Sequence, residues 1–295
     1  MTATGADLRS GGLSCSLLAV ALLAWMVLPC MALGEPAAGS SGESSTADTR
    51  PTPAGPRPTY DWTRDGLVTG AAGAGVLTFM ALKGELARRT CGWCTPPAFD
   101  AKLADRLAWR DARLAVRGSD VLAAGVGGGA LGVLVARGYR RGDPASGWAN
   151  ALIVTEATSL AVLVDSGVKY VAARQRPYVR QGHPELASDA HDQNLSFFSQ
   201  HTTFAFAVAA SSTTLLADQG EPSARWYGVA AFGAAGLTGY LRLAGRQHYL
   251  SDVVVGAGVG TLIGWAVPHW FHRPIQLGSA RILLLPSPNG IAGVF

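Results

Sequence analysis

The sequence predicts an all-α protein, built as a bundle of about six core helices with one further amphipathic helix in its longest loop. Hydrophobic residues make up 48% of the 295 residues, and charged residues only 15%. The 37 glycines are typical of tightly packed helices in or at a membrane, because small residues let helix backbones approach closely. The net charge of +4 is spread along the chain rather than gathered in a basic block, so no nucleic-acid partner is expected.

The first 60 residues predict an export segment and a linker rather than a part of the bundle. Residues 1–34 carry Arg9 before a long apolar run and end in small residues, which predicts a signal peptide. The run is also long enough to stay in place as an N-terminal membrane anchor, and both interpretations remain open. Residues 35–60 are rich in Ser, Pro, Gly and Thr, which predicts a disordered linker.

The helical domain is predicted to occupy residues 61–275. Its six apolar segments lie at about 66–82, 119–136, 149–173, 202–217, 225–243 and 251–271. The first and fourth are short for a membrane span of roughly 20 residues, whereas the last two are long enough. The loop at 83–117 is expected to hold the amphipathic helix, at 99–116. The tail, residues 276–295, contains two short apolar stretches that could form a β-hairpin.

The four cysteines bear on whether the protein lies in an oxidising compartment outside the cytoplasm. If the signal segment is cleaved, Cys15 and Cys30 leave with it, and Cys91 and Cys94 are the remaining thiols. In an exported protein the favoured interpretation of such a pair is a local disulfide. A redox motif or half of a metal site stays open, although the sequence has neither a second cysteine pair nor a thioredoxin-like βαβ pattern around this one.

The third apolar segment ends in cationic side chains. Lys169 and Arg176 are seven residues apart, or two helical turns, so both charges are predicted to point the same way. Pro177 is predicted to stop the helix. Either cation alone could compensate the helix dipole or extend to a membrane surface. Arg174 lies off their common face and is expected to be solvated.

Two more polar groups lie at the boundaries of the later segments. Ser199, Gln200 and His201 begin the fourth segment, where a hydroxyl, an imidazole and unpaired backbone N–H groups predict an anion site, or else a plain N-cap by the serine. Arg242 ends the fifth segment. His248 and Asp252 are four residues apart, so on a helix the carboxylate could hold one ring nitrogen and leave the other free.

Antiparallel connectivity predicts that these groups meet. The ends of the third and fifth segments and the starts of the fourth and sixth must lie at one end of an alternating bundle. Three cations, two helix N-termini, two imidazoles and one carboxylate would then share one site, which suits a multiply charged oxyanion such as phosphate. The acidic and histidine residues in the loop at 183–192, Asp192 among them, either line the entrance or are solvated.

The chemistry of the predicted site is phosphoryl transfer. His248, oriented by Asp252, is predicted to attack phosphorus and form a phosphohistidine, and His201 to protonate the leaving oxygen. The predicted phosphate-binding groups are Lys169, Arg176, Arg242, the Ser199 hydroxyl and the Gln200 N–H. Neither a metal nor another cofactor is expected, because the fixed cations supply the positive charge.

These residues resemble the three signatures of the type 2 phosphatidic acid phosphatase (PAP2) superfamily. The family pattern Lys-x6-Arg-Pro is matched in full by Lys169, Arg176 and Pro177. Pro-Ser-Gly-His is matched at Ser199 and His201, and Ser-Arg-x5-His-x3-Asp at Arg242, His248 and Asp252. The resemblance covers residues 150–272 and implies an all-α, PAP2-like bundle that hydrolyses a phosphate monoester or diphosphate, often on a lipid.

Three positions depart from the family pattern. Phe198 replaces Pro, Leu241 replaces Ser, and Gln200 replaces a Gly that lets the backbone approach phosphate. Gln200 could narrow the leaving-group space, slow turnover or add a donor. Two alternatives therefore accompany the phosphatase: a non-catalytic phospholipid-binding homologue, and a vanadium haloperoxidase, since that enzyme class shares the pocket.

The expected partners are a phosphorylated lipid or other phosphate ester, and a membrane. The predicted location is exported and membrane-associated, either multi-pass in the inner membrane or peripheral in the periplasm. The basic loop at 83–117 favours the cytoplasmic side, whereas a disulfide there favours an oxidising compartment. The membrane face therefore stays open at this level.

Overall fold

The structure is a computed structural model that describes residues 58–273, 275–277, 280–287 and 290–294. The predicted signal segment and most of the predicted linker, residues 1–57, lie outside the described residues. In the described part the chain forms nine α-helices. They are α1 Trp62–Ala81, α2 Lys83–Leu86, α3 Ala98–Leu107, α4 Ala112–Arg140, α5 Pro144–Ala172, α6 Pro177–Arg180, α7 Gln200–Asp218, α8 Ala224–Ala244 and α9 Leu250–Ala266. The all-α class predicted for the domain is confirmed.

The six predicted apolar segments correspond to the six long helices α1, α4, α5, α7, α8 and α9. Aspartates placed directly before several of them set where they begin. Asp61 accepts hydrogen bonds from the backbone N–H groups of Thr63 and Arg64 at 2.9 Å, and Asp111 accepts one from Leu114 at 3.1 Å. Pro144 opens α5 at a position where a helix needs no N–H donor. These caps explain why α1, α4 and α5 begin a few residues before their predicted apolar segments.

The amphipathic helix predicted at 99–116 is wrong in its extent. The chain forms a shorter helix, α3, breaks after Leu107, and begins α4 at Ala112. The break is fixed from both sides: Asp111 caps α4, and the backbone N–H of Trp109 donates to the carbonyl of Ala244 at 3.0 Å. The amphipathic pattern continued across the break because both pieces lie along the bundle.

The largest apolar cluster of the bundle includes none of the residues predicted to bind phosphate. Leu134 of α4, Ile153 of α5, and Leu215 and Leu216 of α7 are all buried in one cluster. Among the residues that the structure describes, three helical stretches are long and apolar enough to cross a membrane, judged by length and composition alone. These are Ala112–Arg140, Pro144–Ala172, and Leu250–Phe271, where the π-helical turn Val267–Phe271 extends α9.

The tail forms a small antiparallel sheet in the order β1-β2-β3, made of Ile275–Leu277, Ala280–Ser287 and Gly290–Val294. Where the sequence predicts a hairpin, β2 pairs with β3 from Leu283 opposite Val294 to Ser287 opposite Gly290. The first strand was not predicted, because three residues are too few to show an alternating pattern.

Close contact between α7 and α9 brings two halves of the predicted site together. Gly256, Gly260 and Gly264 repeat every four residues, so they lie on one face of α9. A Cβ atom at Gly260 would lie 2.4 Å from the carbonyl oxygen of Thr203, and one at Gly256 2.9 Å from that of Ser199. The absence of side chains on this face therefore fixes the separation between the starts of the two helices.

Gly260→Ala is expected to lower the free energy of unfolding by about 1–3 kcal/mol, because α7 and α9 must move apart to admit the methyl group. The matched control is Gly258→Ala on the same helix, where a Cβ atom meets nothing within 4 Å. The control should be neutral or slightly stabilising, since alanine favours helix over glycine. Thermal unfolding in detergent compares the two, and equal transition temperatures for Gly260→Ala and the parent would refute the close packing.

Candidate active site

The residues predicted to share a phosphate site lie together at one end of the bundle, and most of them are buried. Four contacts between different elements join them. Lys169 Nζ donates to the carbonyl of Phe198, and the N–H of Ser199 donates to the carbonyl of Asp252 at 3.1 Å. Arg176 Nη1 donates to Gln247 Oε1 at 2.9 Å, next to His248. Lastly, Asp120 lies between His201 and Arg242.

Lys169 and Arg176 do not lie on the same helix, although the sequence predicts that they do. α5 ends at Ala172, and Ala173 adopts a left-handed conformation with φ of 42°. Arg176 is therefore outside the helix, in an extended stretch whose N–H donates to the Gln193 carbonyl at 2.9 Å. Pro177 disfavours helix at the residue before it and begins α6 instead. The prediction that both cations share one helical face is wrong.

Each of these two cations has a carboxylate partner beside the site. Lys169 Nζ lies 3.0 Å and 2.9 Å from the two oxygens of Asp165, one turn earlier on α5. Arg176 Nη2 donates to Asp192 Oδ1 at 3.0 Å, and Asp192 also pairs with Lys83. Burial opposes the charge of Asp192, but Arg176 and Lys83 hold its pKa at about 2. Asp192 is thus a buried ion-pair partner and not a solvated loop residue.

Arg242 at the end of α8 keeps a free donor. Its Nη1 lies 3.2 Å from Ser119 Oγ and 3.3 Å from Asp120 Oδ1, both on α4. Its Nε is buried, and within the described part of the chain no acceptor reaches it. A buried guanidinium N–H without a partner is costly unless an anion completes it. This donor is the strongest local indication of an anionic ligand.

His248 is 1% exposed and precedes α9 rather than lying within it. Its Nδ1 is 2.8 Å from the carbonyl oxygen of Ser196. A carbonyl only accepts, so Nδ1 carries the proton and Nε2 keeps its lone pair. Burial, and then the positive charges of Arg176, Arg242 and Lys169, hold the pKa of His248 well below its ordinary value. The ring is therefore neutral and nucleophilic.

Asp252 does not hold His248 directly, contrary to the prediction. Its Oδ2 is 3.7 Å from the imidazole Nδ1, beyond hydrogen-bond distance. That oxygen instead accepts from the Ser196 hydroxyl at 2.6 Å and from the Tyr249 N–H at 2.9 Å. The difference arises because His248 lies outside the helix, so four residues of spacing do not place it on the face of Asp252. The carboxylate fixes Ser196, whose carbonyl in turn fixes the imidazole.

Arg174 is fully buried, so the expectation that it is solvated is wrong. Its guanidinium donates to Asp252 Oδ1, to Ser251 Oγ at 2.7 Å and to Asp100 Oδ2 at 2.7 Å. It lies 3.9 Å from the Trp93 ring centroid and 4.4 Å from that of Tyr249. Because α5 ends at Ala172, the helical face assigned to this residue does not exist. Arg174 binds α3 to the start of α9.

The start of α7 offers backbone donors. Ser199 precedes the helix, but its hydroxyl accepts from Thr202 Oγ1 at 2.8 Å and caps no backbone N–H. The first N–H groups of a helix lack intrahelical acceptors, so this end favours an anion. Gln200 Nε2 lies 3.4 Å from Ser166 Oγ on α5, which places the unusual side chain between the two helices.

Cys91 and Cys94 form a disulfide in the structure. The short loop that they close presents Trp93, whose carbonyl accepts from the Gln175 N–H at 3.1 Å and whose ring covers Arg174. The disulfide therefore lies one residue from a side chain that packs under the site. It shapes the loop around Arg174 and has no second cysteine pair beside it in the sequence.

Within the described part of the chain, one group of side chains has the chemistry of metal ligands, and it lies away from the predicted phosphate site. Asp65, Glu156 and His272 are buried with their ligand atoms within 4.8 Å of one another. His272 Nε2 is 3.1 Å from Glu156 Oε2, and its Nδ1 is 2.9 Å from the Thr59 carbonyl. Asp65 is held by Arg64. His272 thus pairs with Glu156 of α5 and lies 3.8 Å from Asp65, close to the start of α1.

Several residues of the site were missed by the sequence reasoning. They are Asp100, Asp120, Ser119 and Ser196, together with Arg174 in its buried role. Ser119 and Asp120 left one usable signal, a polar pair at the start of an otherwise apolar segment. Asp100 and Ser196 left none, because their partners are 151 and 52 residues away along the chain.

Comparison with known proteins agrees with the signatures. Residues 150–276 match the sequence model of the PAP2 superfamily. The lipid A 1-phosphatase of Porphyromonas gingivalis is 34% identical over 131 residues, which are 43% of this chain and 25% of that protein. The chain thus spans about a quarter of the length of this relative.

A solved structure is also similar. It is a transmembrane PAP2-type phosphatidylglycerolphosphate phosphatase from Bacillus subtilis, at 16% identity and a TM-score of 0.36, over 71% of this chain and 94% of that one. The match at residues 150–276 includes every signature residue from Lys169 to Asp252. The similarity to the PAP2 superfamily thus extends over residues 150–276, which are less than half of the chain.

Proposed function

We propose that the protein is a lipid phosphatase that removes phosphate from a phosphate monoester or diphosphate through a phosphohistidine intermediate. The observation that carries the proposal is the state of His248. It is a buried, neutral imidazole with Nδ1 bound to a carbonyl, next to three cations, one of which has an unpartnered buried N–H. A nucleophile held among anion-binding donors is the arrangement that phosphoryl transfer requires.

In the first half of the reaction, Nε2 of His248 attacks phosphorus. The N–P bond forms as the bond from phosphorus to the leaving oxygen breaks, and His201 gives its proton to that oxygen. The charge on the transferring phosphoryl oxygens is met by Lys169, Arg176 and Arg242 and by the N–H groups at the start of α7. The proton on Nδ1 of His248 remains on the ring and is donated in a hydrogen bond to the Ser196 carbonyl, which stabilises the positive charge on the ring.

In the second half of the reaction, water hydrolyses the phosphohistidine. His201, now neutral, accepts a proton from the attacking water, the new P–O bond forms and the N–P bond to His248 breaks. Phosphate leaves, and both imidazoles return to their starting protonation states. The fixed cations serve both steps, so we propose that turnover needs no divalent metal.

The lipid nature of the substrate rests on two supports. The curated relative is a lipid A 1-phosphatase, and helices of this chain are long and apolar enough to enter a membrane. A phosphorylated lipid would present its head group at the end of the bundle while its chains stay among apolar side chains. We also propose an exported protein, because the Cys91–Cys94 disulfide suits an oxidising compartment.

The test is phosphate release by the purified full-length protein in detergent. Phosphatidate, prenyl diphosphate, phosphatidylglycerol phosphate and lipid A are offered in turn, each with and without EDTA. We expect release from at least one lipid and no loss on chelation. Failure on all four substrates would overturn the proposal, and loss of activity in EDTA that added metal restores would overturn its metal independence.

Gln200 is expected to limit turnover. Its side chain occupies the start of α7, where the family pattern has glycine, and bridges towards Ser166. Gln200→Gly should raise kcat/KM roughly 3- to 10-fold for bulky lipid substrates by widening the leaving-group space, with a smaller change for a small soluble ester. Steady-state rates on both substrates measure this difference.

The same variant tests the second candidate function, a phospholipid-binding protein without turnover. The observation that favours this candidate is again the Gln200 side chain at the phosphate-binding turn. No phosphatase activity in the parent, with clear activity in Gln200→Gly, would support the binding protein. Gln200→Ala serves as the control, since it removes the side-chain amide without giving the backbone the conformational freedom of glycine. Equal rates in the parent and both variants would refute any influence of this side chain.

A further inference from the structure

Asp120 is a carboxylate inside the site that belongs to none of the three signatures. It lies on α4, before the signature residues in the chain, and its Oδ1 is 3.0 Å from Nε2 of His201 and 3.3 Å from Nη1 of Arg242. Its side chain is 52% exposed, and that of His201 is 34% exposed. The pair thus lies where the site opens, whereas His248 is enclosed behind it.

The charged groups around His201 distinguish Asp120 from the other carboxylates at this end of the bundle. Arg242 of α8 and Lys169 of α5 repel a proton on the imidazole, whereas Asp120 of α4 attracts it. The other carboxylates at this end are each paired with a different cation: Asp165 with Lys169, Asp192 with Arg176, and Asp252 with Arg174. Within the described ranges, Asp120 is therefore the carboxylate that pairs with His201.

We propose that Asp120 is a positioning residue for the proposed general acid, holding a proton on Nε2 of His201 so that the ring meets the substrate as an imidazolium. The inference rests on the proposed function, because it assigns a partner to the acid of that reaction. The imidazolium then gives the proton of its other nitrogen to the leaving oxygen, and the Nε2 proton stays on the contact with Asp120. An aspartate that orients a histidine in this way fixes both its tautomer and its direction.

Electrostatics explain why such a partner is needed. Burial and the charges of Arg242 and Lys169 lower the pKa of His201, and the contact with Asp120 acts in the opposite direction. A general acid must be protonated before the transfer, so a lower pKa removes the active form as the pH rises. With the Asp120 charge removed, the basic limb of the pH profile must move towards lower pH.

The test compares Asp120→Asn with the parent, using kcat/KM across pH on two substrates, because kcat/KM reports the steps up to phosphohistidine formation and leaves out the hydrolysis that both substrates share. For an alkyl phosphate, whose leaving oxygen needs a proton, kcat/KM at neutral pH should fall on the order of 10-fold or more, and the basic limb should shift to lower pH. For p-nitrophenyl phosphate, whose leaving group departs as an anion, the loss should be much smaller. Asp120→Glu, which keeps the charge, should restore part of the alkyl phosphate rate.

The matched control is Asp105→Asn. Asp105 is 54% exposed and paired with an arginine, as Asp120 is, but its partner Arg180 is outside the proposed catalytic machinery. This control should leave the pH profile and the leaving-group dependence unchanged. A lower KM with unchanged kcat in Asp120→Asn would overturn the proposal, because it would mean that the carboxylate only competes with the phosphate. Equal losses on both substrates with an unshifted pH profile would overturn it as well.

A measurement without turnover separates this inference from the proposed function. The imidazole of His201 is titrated by NMR in the parent and in Asp120→Asn, with the resonance assigned from His201→Asn. The variant should titrate at a lower pH than the parent, and identical titrations would overturn the proposal. Absence of phosphatase activity in the parent would refute the proposed function, whereas the titration would still report whether Asp120 holds the proton.

Discussion

His248→Ala should abolish phosphate release, lowering kcat on the order of 10⁴-fold or more on every substrate that the parent accepts. The variant lacks the atom that forms the bond to phosphorus, so the remaining cations bind the substrate without offering a route to products. Substrate binding should change little, because Lys169, Arg176 and Arg242 stay in place. Phosphate release and equilibrium binding of the lipid, measured on the same preparation, separate the two effects.

Two further measurements sharpen this result. His183→Ala is the control, because His183 is an exposed histidine paired with Glu185 outside the site, and it should keep the parent rate. Labelled phosphate should attach to the parent protein after an alkaline quench and not to His248→Ala. Retention of more than a few per cent of the parent rate by His248→Ala, or a labelled His248→Ala protein, would refute the proposed nucleophile.

The pH dependence follows from the same two imidazoles. His248 must be neutral to attack, so kcat/KM rises with pH as His248 loses its proton, well below the ordinary histidine pKa. His201 must be protonated, so kcat/KM falls as the pH passes its pKa, which is also lowered, by burial and then by Arg242. The plot of kcat/KM against pH should be bell-shaped, and the midpoint of its basic limb should lie below the ordinary pKa of a histidine.

The sequence was sufficient for the helical class and for the signature residues, and the physical reason is that both are local. The periodic spacing of apolar residues that predicts a helix is contained in a single segment of the chain. The signature from Arg242 to Asp252 likewise lies within eleven residues. Antiparallel connectivity then brings Lys169, Ser199 and Arg242 to one end without any knowledge of their contacts. These inferences need no long-range pairing.

What the sequence could not predict depends on contacts across long stretches of chain. Asp120 pairs with His201, 81 residues away, and Arg174 with Asp252, 78 residues away. The spacing of His248 and Asp252 pointed to a direct pair, but the chain enters α9 only at Leu250 and so turns the imidazole towards Ser196. Helix ends, where a few residues change the direction of a side chain, are the positions at which a periodic pattern carries least information.

Arg174→Ala should lower the free energy of unfolding by about 3–5 kcal/mol, because it leaves the buried carboxylates of Asp100 and Asp252 without their shared cation. It should also lower kcat, since Asp252 holds Ser196, whose carbonyl in turn holds His248. Arg174→Lys keeps the charge but not the fork that reaches both carboxylates, so an intermediate loss is expected. Thermal or denaturant unfolding in detergent, followed by tryptophan fluorescence, measures the stability term.

The control for that experiment is Arg180→Ala. Arg180 pairs with Asp105 at 2.6 Å, but both side chains are exposed, so solvent screens the pair and its loss should cost no more than about 1 kcal/mol. Adding Asp100→Asn to Arg174→Ala removes one of the stranded charges and should recover part of the lost stability. Equal effects of the Arg174 and Arg180 changes would show that Asp100 and Asp252 are solvated once the arginine is gone, and that the charge pairing beneath His248 does not stabilise the fold.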